Sequence, residues 1–144
     1  MLIAIFALFG RLAAAPEERI IIKEAWVQVS PIPGRPAAAY LVIENKQDVI
    51  DYLVAAASPA AEKLTLHQTR LAQGVMRMRR IDSLEVPANG TFALRPGEHH
   101  LMLLDTIDDL ASKSSILLRL HFKKAGWIEA TVAVRKFGSR RKPD

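Results

Sequence analysis

The sequence predicts an all-β domain, either a small antiparallel sandwich or a barrel. Short runs of apolar and β-branched residues recur between residues 20 and 134, and turn residues separate them at fairly regular intervals. Long segments with helical periodicity do not alternate with these runs, which argues against a parallel α/β sheet. The length of 144 residues corresponds to a single domain with a proper hydrophobic core.

Each predicted strand ends at residues that favour turns. Pro31 to Gly34 follow the first run, Gln73–Gly74 separate the fourth from the fifth, and Asn89–Gly90 and Pro96–Gly97 enclose a short sixth run. Ala125–Gly126 separate the last two. The nine predicted strands are 20–29, 38–44, 52–56, 63–69, 75–81, 91–94, 100–104, 115–122 and 127–134, with one turn of helix predicted at each of 58–62 and 106–112.

Composition excludes several kinds of site. The chain has no cysteine, which rules out disulfides, thiolate zinc sites, iron–sulfur clusters and thiol redox catalysis within it. The formal net charge is +5, but the last ten residues carry five of the basic side chains. Without these ten residues, 15 basic and 14 acidic residues remain, so the rest of the chain is nearly neutral. A nucleic-acid surface is therefore poorly supported.

The two ends of the chain are predicted to lie outside the domain. Residues 2–9 are an unbroken apolar run, too short to cross a bilayer, and an Ala-rich stretch at 13–15 follows it. Residues 1–19 are therefore predicted to be a signal peptide or N-terminal anchor with a linker, which predicts export from the cytoplasm. Residues 135–144 are predicted to be a basic disordered tail, with a weak membrane-surface contact as one expectation.

Histidine and methionine cluster in the middle of the chain. Three of the four histidines and three of the four methionines fall between His67 and Met102. His100 and Met102 are two residues apart in one predicted strand and therefore share a face. If residues 71–74 form the loop, His67 lies directly opposite Met78, whereas a two-residue turn at Gln73–Gly74 sets His67 against Arg80 instead.

These four side chains offer two imidazole nitrogens and two thioether sulfurs. Thioethers are soft and neutral, so the set favours Cu(I) over Mg²⁺ or Ca²⁺, and zinc prefers thiolate, imidazole or carboxylate. The alternative is that the methionines only fill the core and that His99–His100 is a polar strand end. From composition alone, both interpretations stay open. His121 has no companion ligand at a useful spacing.

The order and spacing of these residues resemble a known family. His67, ten residues, Met78, twenty-one residues, His100, one residue and Met102 reproduce the H-x10-M-x21-H-x-M signature of the PCu(A)C-type periplasmic copper chaperones. The flanks resemble that family too, in the segments AWV at 25–27, AAAYL at 37–41, SPAAEK at 58–63, GVMRMR at 74–79, EVP at 85–87 and HLML at 100–103. The resemblance covers about residues 22–134.

The resemblance implies a cupredoxin-like β-sandwich, with a copper-chaperone domain at 20–134, that binds Cu(I). It implies delivery to the binuclear copper centre of cytochrome c oxidase, or to another copper acceptor, with no enzyme activity. His67, Met78, His100 and Met102 are the implied ligands. Two positions depart from the family: Leu71 stands where members often carry methionine, with Met76 as a substitute on the same face as Met78, and His99 precedes His100.

Two other functions remain at this point. A metal-free adhesion or assembly module could use the same sandwich, and it would be unaffected by loss of Met78 and His100. A copper enzyme usually needs an open coordination position or a stable Cu(II) geometry, and two thioethers without a carboxylate argue against one. The two histidines also predict that copper affinity falls below about pH 6.5, because only neutral imidazole binds.

Overall fold

The computed structural model describes residues 18–138 and confirms the all-β prediction. The predicted signal or anchor at 1–19 lies almost wholly outside the described residues, as does the chain from 139 onward. The predicted start of the disordered tail at 135 is wrong, because Arg135 and Lys136 pair with the first strand as the last residues of the final strand. No helix in the described part is long and apolar enough to cross a bilayer. The strands are β1 (Ile20–Val29), β2 (Ala37–Asn45), β3 (Asp51–Ala57), β4 (Ala61–Ala72), β5 (Val75–Ile81), β6 (Leu84–Val86), β7 (Gly90–Leu94), β8 (His99–Thr106), β9 (Ser115–Phe122) and β10 (Gly126–Lys136).

The strands form one continuous hydrogen-bonded sheet with the order β5-β4-β8-β2-β1-β10-β9-β3-β6, and β7 pairs with the second half of β2. Within residues 18–138, every strand pairing is antiparallel except that of β1 with β10, which is parallel. The buried apolar residues of both halves of the sheet belong to a single cluster. The sheet therefore folds around one core. Each strand has an inner face toward this core and an outer face away from it.

Alternation along the strands builds this core. In β9, Ile116, Leu118, Leu120 and Phe122 are buried while the intervening side chains are more exposed. In β8, Leu101 and Leu103 are almost completely buried on the inner face. Because successive side chains point to opposite faces of a strand, the residues between these leucines must point to the outer face.

A β-bulge in β1 resets its alternation. Before the bulge Ile20 and Ile22 pack on the core, and after it Val27 and Val29 do. The pairing register with β2 shifts between Lys23 and Trp26, and Glu24 has a positive φ of 49°. One extra residue in a bulge moves the following side chains to the other face. Trp26 is thereby directed to the outer face of the sheet.

The predicted elements agree with the structure in all but a few places. Each of the nine predicted strands overlaps an observed one, whereas β6 was not predicted because three residues are too few to show alternation. The predicted helical turn at 106–112 corresponds to a 3₁₀ turn at Leu110–Ser112. The helical turn predicted at 58–62 is wrong, because Ser58 and Ala61 instead form a β-bridge at the start of β4.

The β4–β5 hairpin settles the choice between the two loop lengths. Ala72 pairs with Val75, and Gln73 and Gly74 both have positive φ, 51° and 75°. This is the two-residue turn that requires left-handed residues at both central positions. The four-residue loop at 71–74 is therefore wrong: His67 pairs with Arg80, and Met78 lies opposite Thr69.

Candidate metal centre

The outer faces of three adjacent strands carry all four predicted ligands. β4 lies between β5 and β8, and its His67 pairs with His100 of β8. Directly paired residues share a face, as do residues two apart in one strand. His67 therefore shares a face with His100 and Met102 on one side and with Met78 on the other. This is the face opposite Leu101 and Leu103, so the cluster lies outside the hydrophobic core.

Three of the four side chains are in contact. The Nε2 atom of His100 is 3.0 Å from the Sδ atom of Met78. The rings of His67 and His100 are stacked, with centroids 5.6 Å apart and planes 15° from parallel. His100 is buried, while Met78 is about half exposed at 51%. An imidazole nitrogen and a thioether sulfur thus meet at the surface of the sheet beside a second imidazole.

Met102 lies on the same face but one step farther along β8. It pairs with Thr65 of β4 and with Ala38 of β2. It also lines a shallow apolar groove with Val29 and Phe137. The structure brings His67, Met78 and His100 together and places Met102 on the same face, where no hydrogen bond joins it to the other three among the described residues.

Thr65 belongs to the site and was missed from the sequence. Its side chain is 6% exposed, and its Oγ1 lies 2.7 Å from Nε2 of His67, within hydrogen-bond distance. The other ring nitrogen of His67, Nδ1, is buried and has no hydrogen-bond partner. Thr65 lies two residues before His67, so strand alternation was the signal that could have identified it.

Aromatic side chains continue the same face away from the cluster. Tyr40 of β2 is buried, with its ring centroid 6.4 Å from that of His100 and 4.7 Å from that of Trp26. Burial raises the pKa of the Tyr40 hydroxyl above its usual value. Arg135 lies over the Trp26 ring at 4.9 Å. These rings cover the β2 side of His100 and reduce its access to water.

Burial favours the neutral form of both site histidines. It lowers the pKa of His67, and the positive charge of Arg80 opposite lowers it further. Burial also lowers the pKa of His100; a hydrogen bond to the Glu98 backbone opposes the shift, and His67 and His99 add to it. Neutral imidazole is the form that binds metal ions. The environment therefore favours the metal-binding form of both rings at neutral pH.

The other two histidines point elsewhere. His99 faces the inner side of the sheet, where its ring meets Phe92 edge-on at 5.1 Å. His121 of β9 stacks on Trp127 of β10, in the other half of the sheet. Within residues 18–138, no three His, Cys, Asp or Glu side chains come close enough to hold a metal ion. A site with three protein ligands in this region therefore draws on a donor of another type, and the sulfur of Met78 is such a donor in contact with His100.

Met76 remains near the tip of the hairpin. It pairs with Leu71, and both side chains are largely exposed, at 56% and 71%. Met76 is on the same face as Met78, as predicted, but two residues farther from His100. It is thus available at the rim of the cluster and not inside it.

Comparison with known proteins places the chain in a family. The family model described as "Putative lipoprotein LpqE-like" matches residues 20–134. A protein of Leifsonia xyli subsp. xyli named as a putative lipoprotein is 29% identical over 117 residues, covering 81% of this chain and 69% of that protein.

Solved structures share the fold. The copper-bound PCuAC domain from PmoF2 superposes with a TM-score of 0.68 at 23% identity, covering 83% of this chain and 94% of that domain. The Cu(I) form of DR1885 from Deinococcus radiodurans gives 0.62 at 26% identity, covering 90% and 85%. These matches confirm the resemblance to PCu(A)C domains and the cupredoxin-like β-sandwich that it implied.

Proposed function

Because this chain belongs to the LpqE-like family and folds as PCu(A)C domains do, we propose that its domain at 20–134 is an extracytoplasmic copper chaperone that binds Cu(I). The contact between His100 Nε2 and Met78 Sδ carries the proposal. Both atoms belong to groups that can bind a metal ion, and they approach to 3.0 Å beside the His67 ring. A soft monovalent ion fits such a pair better than any hard ion does.

The proposed ligands are His67, Met78, His100 and Met102. All four are uncharged, so bound copper keeps its single positive charge inside a set of neutral donors. His67 would bind through Nδ1, the nitrogen that has no partner, while Thr65 holds Nε2. Met102 needs only a side-chain rotation to join, because it is already on the same face, two residues from His100.

The proposed mechanism is transfer by ligand exchange, without enzyme activity. Half-exposed Met78 is the ligand that an incoming group from the acceptor can reach and displace first. Transfer is favourable where the acceptor offers thiolates, which bind Cu(I) more tightly than thioethers. The binuclear copper centre of cytochrome c oxidase is the acceptor that the family resemblance implies.

The proposed location is outside the cytoplasmic membrane, in the periplasm and membrane-associated. The lipoprotein description of the family and of the Leifsonia xyli relative supports export. The 144 residues contain no cysteine, so no thiol within them can carry a lipid. The apolar run at 2–9 and the basic residues at 140–142 are the segments we propose for membrane association.

Copper-edge X-ray absorption on the Cu(I)-loaded protein tests this function. We expect one copper per chain with two sulfur and two nitrogen scatterers. Met78→Leu preserves the size of the side chain and should remove one sulfur scatterer. A spectrum with only nitrogen and oxygen neighbours in the unsubstituted protein, or one that Met78→Leu leaves unchanged, would contradict the proposal.

A second test addresses Thr65. Thr65→Val keeps the shape of the side chain but removes the hydroxyl that contacts His67, so the ring loses its fixed orientation. We expect Cu(I) affinity to fall about tenfold, the lower end of the usual effect for groups that orient a metal ligand. Thr65→Ser retains the hydroxyl and should bind nearly as the parent does. Equal affinities for the two variants, measured against a chromogenic Cu(I) chelator, would show that the contact is irrelevant to binding.

A further inference from the structure

Met78 lies on an edge strand. Among residues 18–138, β5 pairs with β4 alone and is the last strand of the sheet at this end. From Val75 to Arg80 all its side chains are exposed. The outer side of an edge strand presents unpaired backbone N–H and C=O groups, which can accept a further strand.

The backbone of Met78 itself faces this open edge. Its partner in β4, Thr69, directs its N–H away from β5 to the carbonyl of Glu98, at 2.9 Å. Thr69 and Met78 are therefore a non-hydrogen-bonded pair of the antiparallel ladder. Because bonded and non-bonded pairs alternate, the N–H and C=O groups of Met76, Met78 and Arg80 all point outward, whereas those of Arg77 and Arg79 bond to β4.

Arginines surround this edge. Arg77 and Arg79 lie on the face opposite Met78, and Arg80 lies on the same face. Among the described residues none of the three forms an ion pair, although Arg79 donates a hydrogen bond to Gln68. Pairing two copies of this edge around Met78 would place Arg77 opposite Arg79, and like charges directly opposite are destabilising. The charges thus disfavour a second copy and favour an acidic strand.

We propose that the open edge of β5 receives an extended acidic segment of the copper acceptor as an added antiparallel strand. The identity of the partner as a copper acceptor rests on the proposed copper function. The docking geometry rests on the backbone and charge pattern of β5. A lipid surface would satisfy the arginines but cannot pair with the alternating N–H and C=O groups. An extended peptide satisfies both.

Strand addition also brings the acceptor's ligand to the copper site. The residue directly opposite Met78 in the added strand lies on the same face, with the two Cα atoms about 5.5 Å apart. A methionine or cysteine there would reach the ion that Met78 holds. Its neighbours on either side point to the other face, where Arg77 and Arg79 lie. Copper moves as Cu(I) from one sulfur to another, so the step needs no oxidant or reductant.

The test uses the copper-free protein and a seven-residue peptide, Thr-Glu-Glu-Met-Glu-Val-Thr, in which the methionine faces Met78. Amide hydrogen exchange, followed by NMR, should slow at least about tenfold at Met76, Met78 and Arg80 when the peptide is saturating. Arg77 and Arg79 should change little, since their amides already bond to β4. A peptide with lysine in place of each glutamate should give no protection.

Two variants check the recognition. Arg77→Gln with Arg79→Gln should weaken peptide binding about fivefold, the effect of losing two exposed ion pairs. Met76→Pro removes one outward N–H without touching the ladder to β4 and should abolish binding, whereas Met76→Ala should retain it. If Met76→Pro fails to fold, the peptide comparison still decides, because it uses the unsubstituted protein.

A transfer experiment then separates docking from copper chemistry. With the Cu(I)-loaded protein, we expect transfer to be at least about tenfold faster to this peptide than to Thr-Glu-Glu-Val-Glu-Met-Thr, in which methionine and valine are exchanged, so that the glutamates keep their places while the methionine lies opposite Met76 instead of Met78. Equal rates would overturn the proposed register. Absence of amide protection by the peptide, or protection only by phosphatidylserine vesicles, would overturn the docking proposal. Neither result would affect a copper affinity measured independently.

Discussion

Replacing His100 with alanine is expected to lower Cu(I) affinity by roughly 100-fold or more. His100 is the buried residue that contacts both Met78 and His67, so its loss removes a ligand and separates the two halves of the cluster. Even residues that only orient a ligand alter metal affinity by roughly 10- to 100-fold. Competition with a chromogenic Cu(I) chelator measures the effect directly.

His99→Ala is the matched control for this substitution. It removes the same kind of side chain from the adjacent position, but His99 points to the inner face and packs against Phe92. We expect its Cu(I) affinity to equal that of the parent, with any loss confined to thermal stability. Circular dichroism should confirm that both variants keep the sheet. If the two variants lose affinity equally, the alternation of β8 does not define the site.

The second large effect is that of pH on copper binding. Both site histidines have a pKa below the ordinary value, chiefly because of burial. A proton competes with copper for imidazole only below the pKa of the ring in the copper-free protein. Copper affinity should therefore stay constant from pH 7.5 to below 6.5, the ordinary pKa of histidine being about 6.5. Its decline should begin at a lower pH than the sequence alone predicts.

Below the lowered pKa values the affinity should fall steeply. Each imidazole that must lose a proton weakens binding up to tenfold per pH unit, so two give up to about 100-fold per unit. The His100→Ala variant should show about half this slope on a logarithmic scale. Chelator competition between pH 7.5 and 4.5 measures both curves, with the affinity of the chelator corrected at each pH. Constant affinity over the whole range would exclude two histidine ligands.

Much of the fold and of the candidate site could be predicted from two sequence features, the alternation of apolar residues and the spacing of the histidines and methionines. Runs such as β9, with every second residue apolar, reveal both a strand and its buried face. His100 and Met102 needed only this rule to be placed together. The three spacings between His67 and Met102 are specific enough that the family resemblance followed from them, and the family match confirms it.

The register of the β4–β5 hairpin required more than the sequence. A loop at 71–74 and a turn at Gln73–Gly74 both fit the local residues, and they move Met78 by two positions relative to His67. Both place Met78 on the same face, so the site prediction did not depend on the choice. Thr65 was missed for another reason: a threonine in a strand is ordinary, and its importance comes from the ring that its hydroxyl contacts.

The position of the cluster on β8 makes one strand responsible for two separate tasks. Its odd-numbered leucines hold the two halves of the sheet together, and its even-numbered residues face outward with the sulfur and nitrogen donors. Deleting a single residue between the Pro96–Gly97 turn and His99 would reverse the two faces of β8, so that the leucines would point to water and the donors to the hydrophobic core. Substitutions can therefore alter the outward residues without disturbing the core, whereas an odd change in the number of residues between that turn and His100 would exchange the two faces.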